Sequence, residues 1–499
     1  MLFNSLQFLA FFPVVSILFF VLPHRYRWSM LLLASCVFYM VFIPKYILIL
    51  AVLIVIDYFA AIWIERSQGP ARKGLLILSI AATCIALFFF KYHDFFAENI
   101  NTIARVLHWN YSMAALKLIL PIGLSFHTFQ SLSYVIEVYR GNQKTERHFG
   151  IYALYVMFFP QLVAGPIERP RHLLHQFHEE HQFRYRAAAD GLKLMAWGLF
   201  QKVVVADNLA RTVDMVFSGG NLGGGYLIIG TVLFAFQIYC DFSGYSDVAR
   251  GSAMFLGFRL MKNFDRPYLA HSISEFWRRW HISLSSWLRD YIYIPLGGNR
   301  VGTWRMSLNL LITFIFCGLW HGAKWTYVCW GAINGLYLVF GALTSKLREN
   351  LAVASGITRF PRIRSFFQIL TTFSLVCIGW IFFRSDNMDA ALKTVTVCSA
   401  TIFNGILALP GWSAGAVHAL ISDEVPWIQV RSTILPFLWP AAYISVIMGI
   451  QLLQSRGGVL EISGRWPVAV RWTAYFAIII AIMVLGYHEN QRPFIYFQF

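Results

Sequence analysis

Charge is what this sequence most lacks. Only 13% of its 499 residues are Asp, Glu, Lys or Arg, against about 25% in an ordinary soluble domain. With 58% hydrophobic residues, a water-soluble fold would leave large apolar patches in water. A soluble globular fold is therefore excluded, and lipid is the solvent that fits. Acidic residues are scarcer than basic ones: 24 Asp+Glu stand against 41 Lys+Arg, a net charge of +17. The basic surplus lies in short loops between apolar runs, such as 24–27 and 66–73. That is the distribution of cytoplasmic membrane loops, so no nucleic-acid partner is expected. The seven cysteines form no C-x-x-C pair, and most sit inside apolar runs. Neither a disulfide framework nor a metal site is expected. No Lys or Arg precedes the first apolar run, Leu6 to Leu22, and no small-residue cleavage site follows it. The run reads as a retained helix and not as a signal peptide. Internal repeats and Pro- or Ser-rich linkers are also missing, so residues 1–499 read as one membrane domain.

What is present is a series of apolar runs near the ~20 residues a spanning helix needs. Candidate spans are 3–22, 29–43, 46–64, 74–91, 114–138, 190–206, 225–245, 305–320, 324–344, 365–384, 432–452 and 469–487. Roughly eleven to thirteen transmembrane helices are expected, in an all-α, polytopic fold. Loops 23–28, 65–73, 140–149, 259–304, 345–364 and 453–468 are basic and fall on one side, assigned to the cytoplasm. Loop 385–430 is poor in basic residues and is expected outside, with both chain ends. Segment 150–165 is apolar but has basic flanks on both sides, which predicts a re-entrant segment. Irregular backbone at that depth survives only when buried in protein or lining a cavity.

The densest polar constellation runs from Asp241 to Arg300. It holds Asp241-Phe242-Ser243-Gly244-Tyr245-Ser246-Asp247, then Glu275-Phe276-Trp277-Arg278-Arg279-Trp280-His281, then Trp287-Leu288-Arg289-Asp290-Tyr291, and it closes on Gly297-Gly298-Asn299-Arg300. An interfacial helix with an aromatic belt accounts for Trp277, Arg278, Arg279 and Trp287. It does not need His281, Asp290 or the Gly-Gly-Asn turn. The arginines also suit the phosphates of a nucleotide-bearing acyl donor. A second signal is Cys317-Gly318-Leu319-Trp320-His321-Gly322, where His321 interrupts two apolar runs. It reads either as a hydrogen-bonded core residue or as a functional group. A histidine can take a proton from a hydroxyl near neutral pH, as attack on a thioester requires. Asp57, inside an apolar run, reads as a helix-packing hydrogen bond. The end of the chain, Gln491 to Phe499, is aromatic and reads on its own as an interfacial anchor.

The run Ser274 to Ser285 followed by Trp287 to Tyr291 resembles the signature of the membrane-bound O-acyltransferase (MBOAT) superfamily, nearest its bacterial alginate O-acetyltransferase branch. Pro121-Ile122-Gly123-Leu124-Ser125-Phe126, Ala164-Gly165-Pro166, Asp241 to Asp247 and Leu319-Trp320-His321-Gly322 are similar to that branch as well. The resemblance departs at His127, where an aromatic is common, and at Asp265-Arg266. It implies helices around a central chamber, with His321 as the principal catalytic histidine and His281 as a second polar position. It implies that the tail 493–499 is an acyl-relay motif in which Tyr496 carries the acyl group. Arg278, Arg279, Trp280, Asp290, Asn299 and Asp241 are then candidates for holding donor or acceptor. The expected activity is transfer of an acyl group, here acetyl, from a cytoplasmic thioester to an exopolysaccharide such as alginate. Acetyl-coenzyme A is the expected donor substrate, with no bound cofactor and no metal. The resemblance also implies a bacterial inner-membrane location and a periplasmic SGNH-hydrolase-like acetyltransferase partner, with the polysaccharide as acceptor. Two rival readings remain at this level: a transporter of acyl groups or lipid-linked sugars, and a scaffold for a periplasmic acetyltransferase.

Overall fold

A computed structural model of the chain describes residues 1–162, 165–218, 223–408, 427–454, 458–486, 492, 494 and 495. Among the described residues every regular element is a helix. Seven helical segments are long and apolar enough to cross a bilayer: Pro44–Arg66, Gly69–Val106, Gly224–Phe255, Thr303–His321, Trp325–Leu343, Pro361–Arg384 and Val468–Leu485. Leu6–Val21 and Phe437–Leu453 are shorter apolar helices. The protein is a polytopic, all-α membrane protein, as its composition predicts.

One expected span, 114–138, lies inside the protein, as does the expected re-entrant segment. Leu124–Tyr139 has 16 residues and is buried along nearly its whole length. At about 1.5 Å per residue it reaches roughly 24 Å, short of the ~30 Å hydrocarbon core. The expected span 114–138 therefore starts ten residues late. Pro121 and Gly123 are the physical reason. Gly123 has φ +79°, and a Cβ there would come within 2.7 Å of the Leu162 carbonyl oxygen. Segment 150–165 is likewise short and buried: Phe149–Met157 is a nine-residue helix, broken at Phe158 and resumed at Phe159–Leu162. Val163 and Ala164 lie outside the described residues. Loop 385–430 needs correction, because the helix Met388–Ala408 fills its first half. The Asn387 side chain caps that helix by accepting from the Ala390 N–H at 2.9 Å. Residues 409–426 lie outside the described residues.

The 32-residue helix Gly224–Phe255 is the axis of the fold. Tyr185–Leu199 packs along it through two facing glycine pairs. A Cβ on Gly191 would meet the Gly251 carbonyl at 2.6 Å, and one on Gly198 the Gly244 carbonyl at 2.5 Å. Small residues let membrane helices approach at backbone distance, where van der Waals packing replaces the absent hydrophobic drive. Asp57 joins two further helices: the Ser79 hydroxyl donates to its carboxylate at 2.7 Å.

Among the described residues three segments wind as π-helix: Phe88–Tyr92, Phe200–Ala206 and Arg289–Tyr293. Such turns concentrate at functional sites. Each one here carries charge: Lys91, Lys202, and Arg289 with Asp290.

The basic loops gather at one end. Arg147 pairs with Glu65, the Tyr58 hydroxyl donates to the Arg147 carbonyl, and Arg72 donates to the Tyr139 carbonyl. Arg140 donates to the Asp290 carbonyl, and the ring of His271 meets the Ser365 hydroxyl. At the other end Asp214 pairs with both Arg384 and Arg492.

Candidate active site

His321 is the last residue of the helix Thr303–His321 and is buried. That helix lies against Trp325–Leu343 at Gly318 and Gly331. A Cβ on either glycine would come within 2.2 Å of a carbonyl on the facing helix. The His321 ring is enclosed by Trp320, Trp330 and Phe383, with centroids at 4.8, 5.0 and 5.4 Å. A wall of aromatic rings keeps bulk water from the imidazole.

The last carbonyls of a helix have no partner inside it and carry the negative end of its dipole. Here two side chains from the 88–92 π turn meet them. The Lys91 ammonium donates to the Trp320 carbonyl at 2.5 Å and to the His321 carbonyl at 3.2 Å. It also reaches the Ser125 hydroxyl at 3.4 Å. The Tyr92 hydroxyl donates to the Leu319 carbonyl at 2.9 Å. Lys91 was not singled out from the sequence. Its signal was present, a single lysine in the apolar run Phe88-Phe89-Phe90-Lys91, and such intramembrane charges are functional candidates by default.

His281 is fully buried and adopts a left-handed conformation, φ +44°, at the start of Ile282–Leu288. For a residue with a Cβ this is an uncommon geometry, and its neighbours over-determine it. The Ser283 backbone N–H, an obligate donor, points at one Asn263 side-chain atom at 3.2 Å, which identifies that atom as the carbonyl oxygen. The same oxygen lies 3.1 Å from His281 Nδ1, so Nδ1 must donate and Nε2 carries the lone pair of the neutral ring. Asn263 donates in turn to the Ser246 hydroxyl at 3.3 Å. The role of Asn263 depends on three-dimensional contacts and has no sequence signal.

Trp320 links the two histidines. Its ring lies 4.8 Å from His321 and 6.2 Å from His281, and the two imidazoles are within electrostatic reach of each other. Phe126, from the Pro-Ile-Gly-Leu-Ser-Phe motif, packs on Trp320 at 5.3 Å and on His281 at 6.4 Å.

The other candidates occupy varied places. Trp280 is buried, stacks against Phe276 at 5.5 Å and packs at a tilt on Trp380 at 5.0 Å. Arg279 pairs with Glu275. Asp290 pairs with Arg289 at 2.8 Å and Arg169 at 3.5 Å. Arg278 and Asn299 are exposed. Asp241 is buried, paired with Lys202 at 2.7 Å, and accepts the Ile495 backbone N–H at 2.7 Å. Tyr496 lies outside the described residues. The described cysteines are free thiols, and among the described residues no cluster of His, Cys, Asp and Glu could hold a metal ion.

The sequence profile of the membrane-bound O-acyltransferase family matches residues 148–378. A protein named probable alginate O-acetylase AlgI, from Pseudomonas aeruginosa, is 39% identical over 442 residues, covering 88% of this chain and 80% of that one. A peptidoglycan O-acetyltransferase from Helicobacter pylori is 38% identical over 79% of each chain. A teichoic acid D-alanyltransferase from Streptococcus thermophilus is 26% identical over 54% of this chain and 69% of its own. The likeness to the first two runs through both histidine regions and most of the membrane helices, and this polytopic protein belongs to the membrane-bound O-acyltransferase family and is an acyltransferase.

Proposed function

We propose that the protein moves an acetyl group from acetyl-coenzyme A across a bacterial inner membrane, for O-acetylation of an exopolysaccharide such as alginate. One observation carries the reading: a buried histidine at a helix end, with a second histidine beside it whose tautomer is held by Asn263. The relatives named as O-acetylases support an acetyl cargo and a glycan acceptor.

In this mechanism His321 accepts the proton of an attacking hydroxyl as its oxygen bonds to the thioester carbonyl carbon. The tetrahedral intermediate collapses, the carbon–sulfur bond breaks, and the departing thiolate takes the proton from the imidazolium. His281 offers its Nε2 lone pair to orient donor or acceptor. The hydroxyl is the phenol of Tyr496, whose ester is then passed to a periplasmic SGNH-like partner that acetylates the polymer. An aryl ester leaves more readily than an alkyl one, which suits onward transfer. Residues 1–499 act as one catalytic domain, with 493–499 as its relay segment. Arg278, Arg279, Asp290 and Asn299 are available to donor or acceptor approaching from the basic end, whereas Trp280, buried against Phe276 and Trp380, supports them from beneath.

The test is release of coenzyme A from radiolabelled acetyl-coenzyme A by the purified protein. His321→Gln is expected to lower it by about 10²–10⁴-fold, the contribution of a general base, with membrane-inserted protein unchanged. Near-normal release by this variant would overturn the assignment.

A further inference from the structure

The C-terminal segment is held in the core by charge. Lys202, on the 200–206 π turn, is buried between two carboxylates, Asp241 at 2.7 Å and Asp207 at 2.9 Å. The second oxygen of Asp241 accepts the backbone N–H of Ile495, 254 positions further along the chain. Three residues earlier, Arg492 pairs with Asp214 at 2.6 Å, and Arg384 holds the other oxygen of that carboxylate at 2.9 Å. Between these anchors the Phe494 ring is fully buried, 5.2 Å from Phe242 and 4.8 Å from Tyr245. Phe242 packs edge-on against His281 at 4.6 Å. A polar cavity of about 60 Å³ remains among Lys202, Asp207, Asp214, Gln237, Asp241, Arg384, Arg492 and Ile495.

The charges close only with the tail in place. Lys202, Arg384 and Arg492 balance Asp207, Asp214 and Asp241, so removing the tail leaves one carboxylate in excess and takes the Ile495 backbone donor from buried Asp241. A buried acceptor without its donor is costly, whereas a tail anchored by two charge-assisted hydrogen bonds is held in one register. A hydrophobic anchor alone would set no register, because an aromatic ring slides among apolar neighbours at little cost.

We infer that Asp241, Lys202 and Asp214 form a socket whose ligand is this chain's own C-terminal segment, gripped at Arg492 and at the Ile495 backbone. The socket fixes the chain at residue 495, one position before Tyr496 in sequence and one ring away from His281. Asp241 is thus a positioning residue for the tail. The catalytic consequence rests on the proposed acyl relay; the docking does not.

Disulfide trapping separates the two. Tyr245→Cys and Phe494→Cys are introduced into a full-length chain whose native cysteines are Ala. Mild oxidation is expected to cross-link the pair, read as loss of free thiol. Arg492→Gln is expected to lower the rate of cross-linking by about tenfold, the equivalent of one charge-assisted hydrogen bond. Arg492 is half-buried on the tail, so this variant leaves the helical core intact. Asp241→Asn is expected to lower it further. No cross-link in the parent pair, or an unchanged rate in both variants, overturns the socket whatever the chemistry at His321. In the cysteine-containing protein, Arg492→Gln is expected to reduce polymer acetylation, and to cause no further loss once residues 493–499 are deleted. Additive losses would show that Arg492 acts elsewhere and would likewise overturn the inference.

Discussion

Replacing Lys91 by Met tests whether the end of the His321 helix is held from outside. Met matches the length of the lysine stem but donates nothing. The carbonyls of Trp320 and His321, now 2.5 and 3.2 Å from the ammonium, would lose that donor. An acceptor left unsatisfied in the interior costs about 1–3 kcal/mol, so two cost about 2–6 kcal/mol. Removing the lysine also removes the penalty of burying its charge, several kcal/mol in the opposite direction. The two terms are of similar size, so the thermal midpoint in detergent is expected to move little. Positioning has no such compensation. A catalytic group misplaced by about 1 Å costs on the order of 10²-fold in rate, and the His321 backbone is one of the two carbonyls released. Coenzyme A release under saturating acetyl-coenzyme A is therefore expected to fall about 10²-fold, with the KM for the donor nearly unchanged. Lys91→Arg keeps the charge but splays its donors into a planar fork, and should fall between the two. Wild-type kcat in Lys91→Met would refute the reasoning.

Three further outcomes are expected. Tyr496→Phe should acetylate polymer no better than a chain lacking 493–499, and wild-type acetylation by Tyr496→Phe would end the relay. In a cysteine-free background, Lys346→Cys should react with a membrane-impermeant thiol reagent only from the cytoplasmic face and Asp389→Cys only from the opposite one; the reverse pattern would invert the topology. Glu168, hydrogen-bonded to His172 at 2.6 Å in the loop after 165, raises that imidazole above its usual range. The folded state then binds the proton more tightly than the unfolded one. The resulting stabilisation is full below about pH 6.5 and is lost as pH rises through the raised value. The thermal midpoint should drop across that window in the wild type and stay flat in His172→Asn; parallel curves would count against it.

Membrane class, the two histidines and the helix-packing role of Asp57 were legible because each is written locally, as an apolar run or as one polar residue interrupting it. The Ser79–Asp57 hydrogen bond shows that logic at its simplest. What stayed hidden depends on distance along the chain. Lys91 meets a helix end 229 and 230 residues away, and Asp241 meets Ile495 across 254. No periodicity encodes such pairings. The π turns were invisible because one surplus residue barely disturbs an apolar pattern. The helix Met388–Ala408 falls in the stretch 385–430, which reads as an outer loop poor in basic residues; Asn387, a residue type common in turns, is its cap. Segment 114–138 was over-read because a hydropathy window averages across Pro121 and Gly123, which stop the helix.

The three π turns make chain length itself a carrier of information. Each holds one residue more than an α-helical path needs. Deleting one residue from 88–92 would not break the helix; it would close it into regular α register. The helix on either side of the turn would keep its phase, but the side chains inside it would be re-aimed by up to about 100°. Asp94, whose carboxylate holds the backbone N–H groups of Leu116 and Lys117, lies beyond the turn and would keep that loop. Lys91 and Tyr92, which lie inside it, would no longer address the same carbonyls. A one-residue deletion that every composition-based measure scores as harmless would thus dismantle the contact between this helix and the His321 helix end. The same residue removed a turn beyond Val106, in the non-helical stretch before Gly123, would be absorbed by slack.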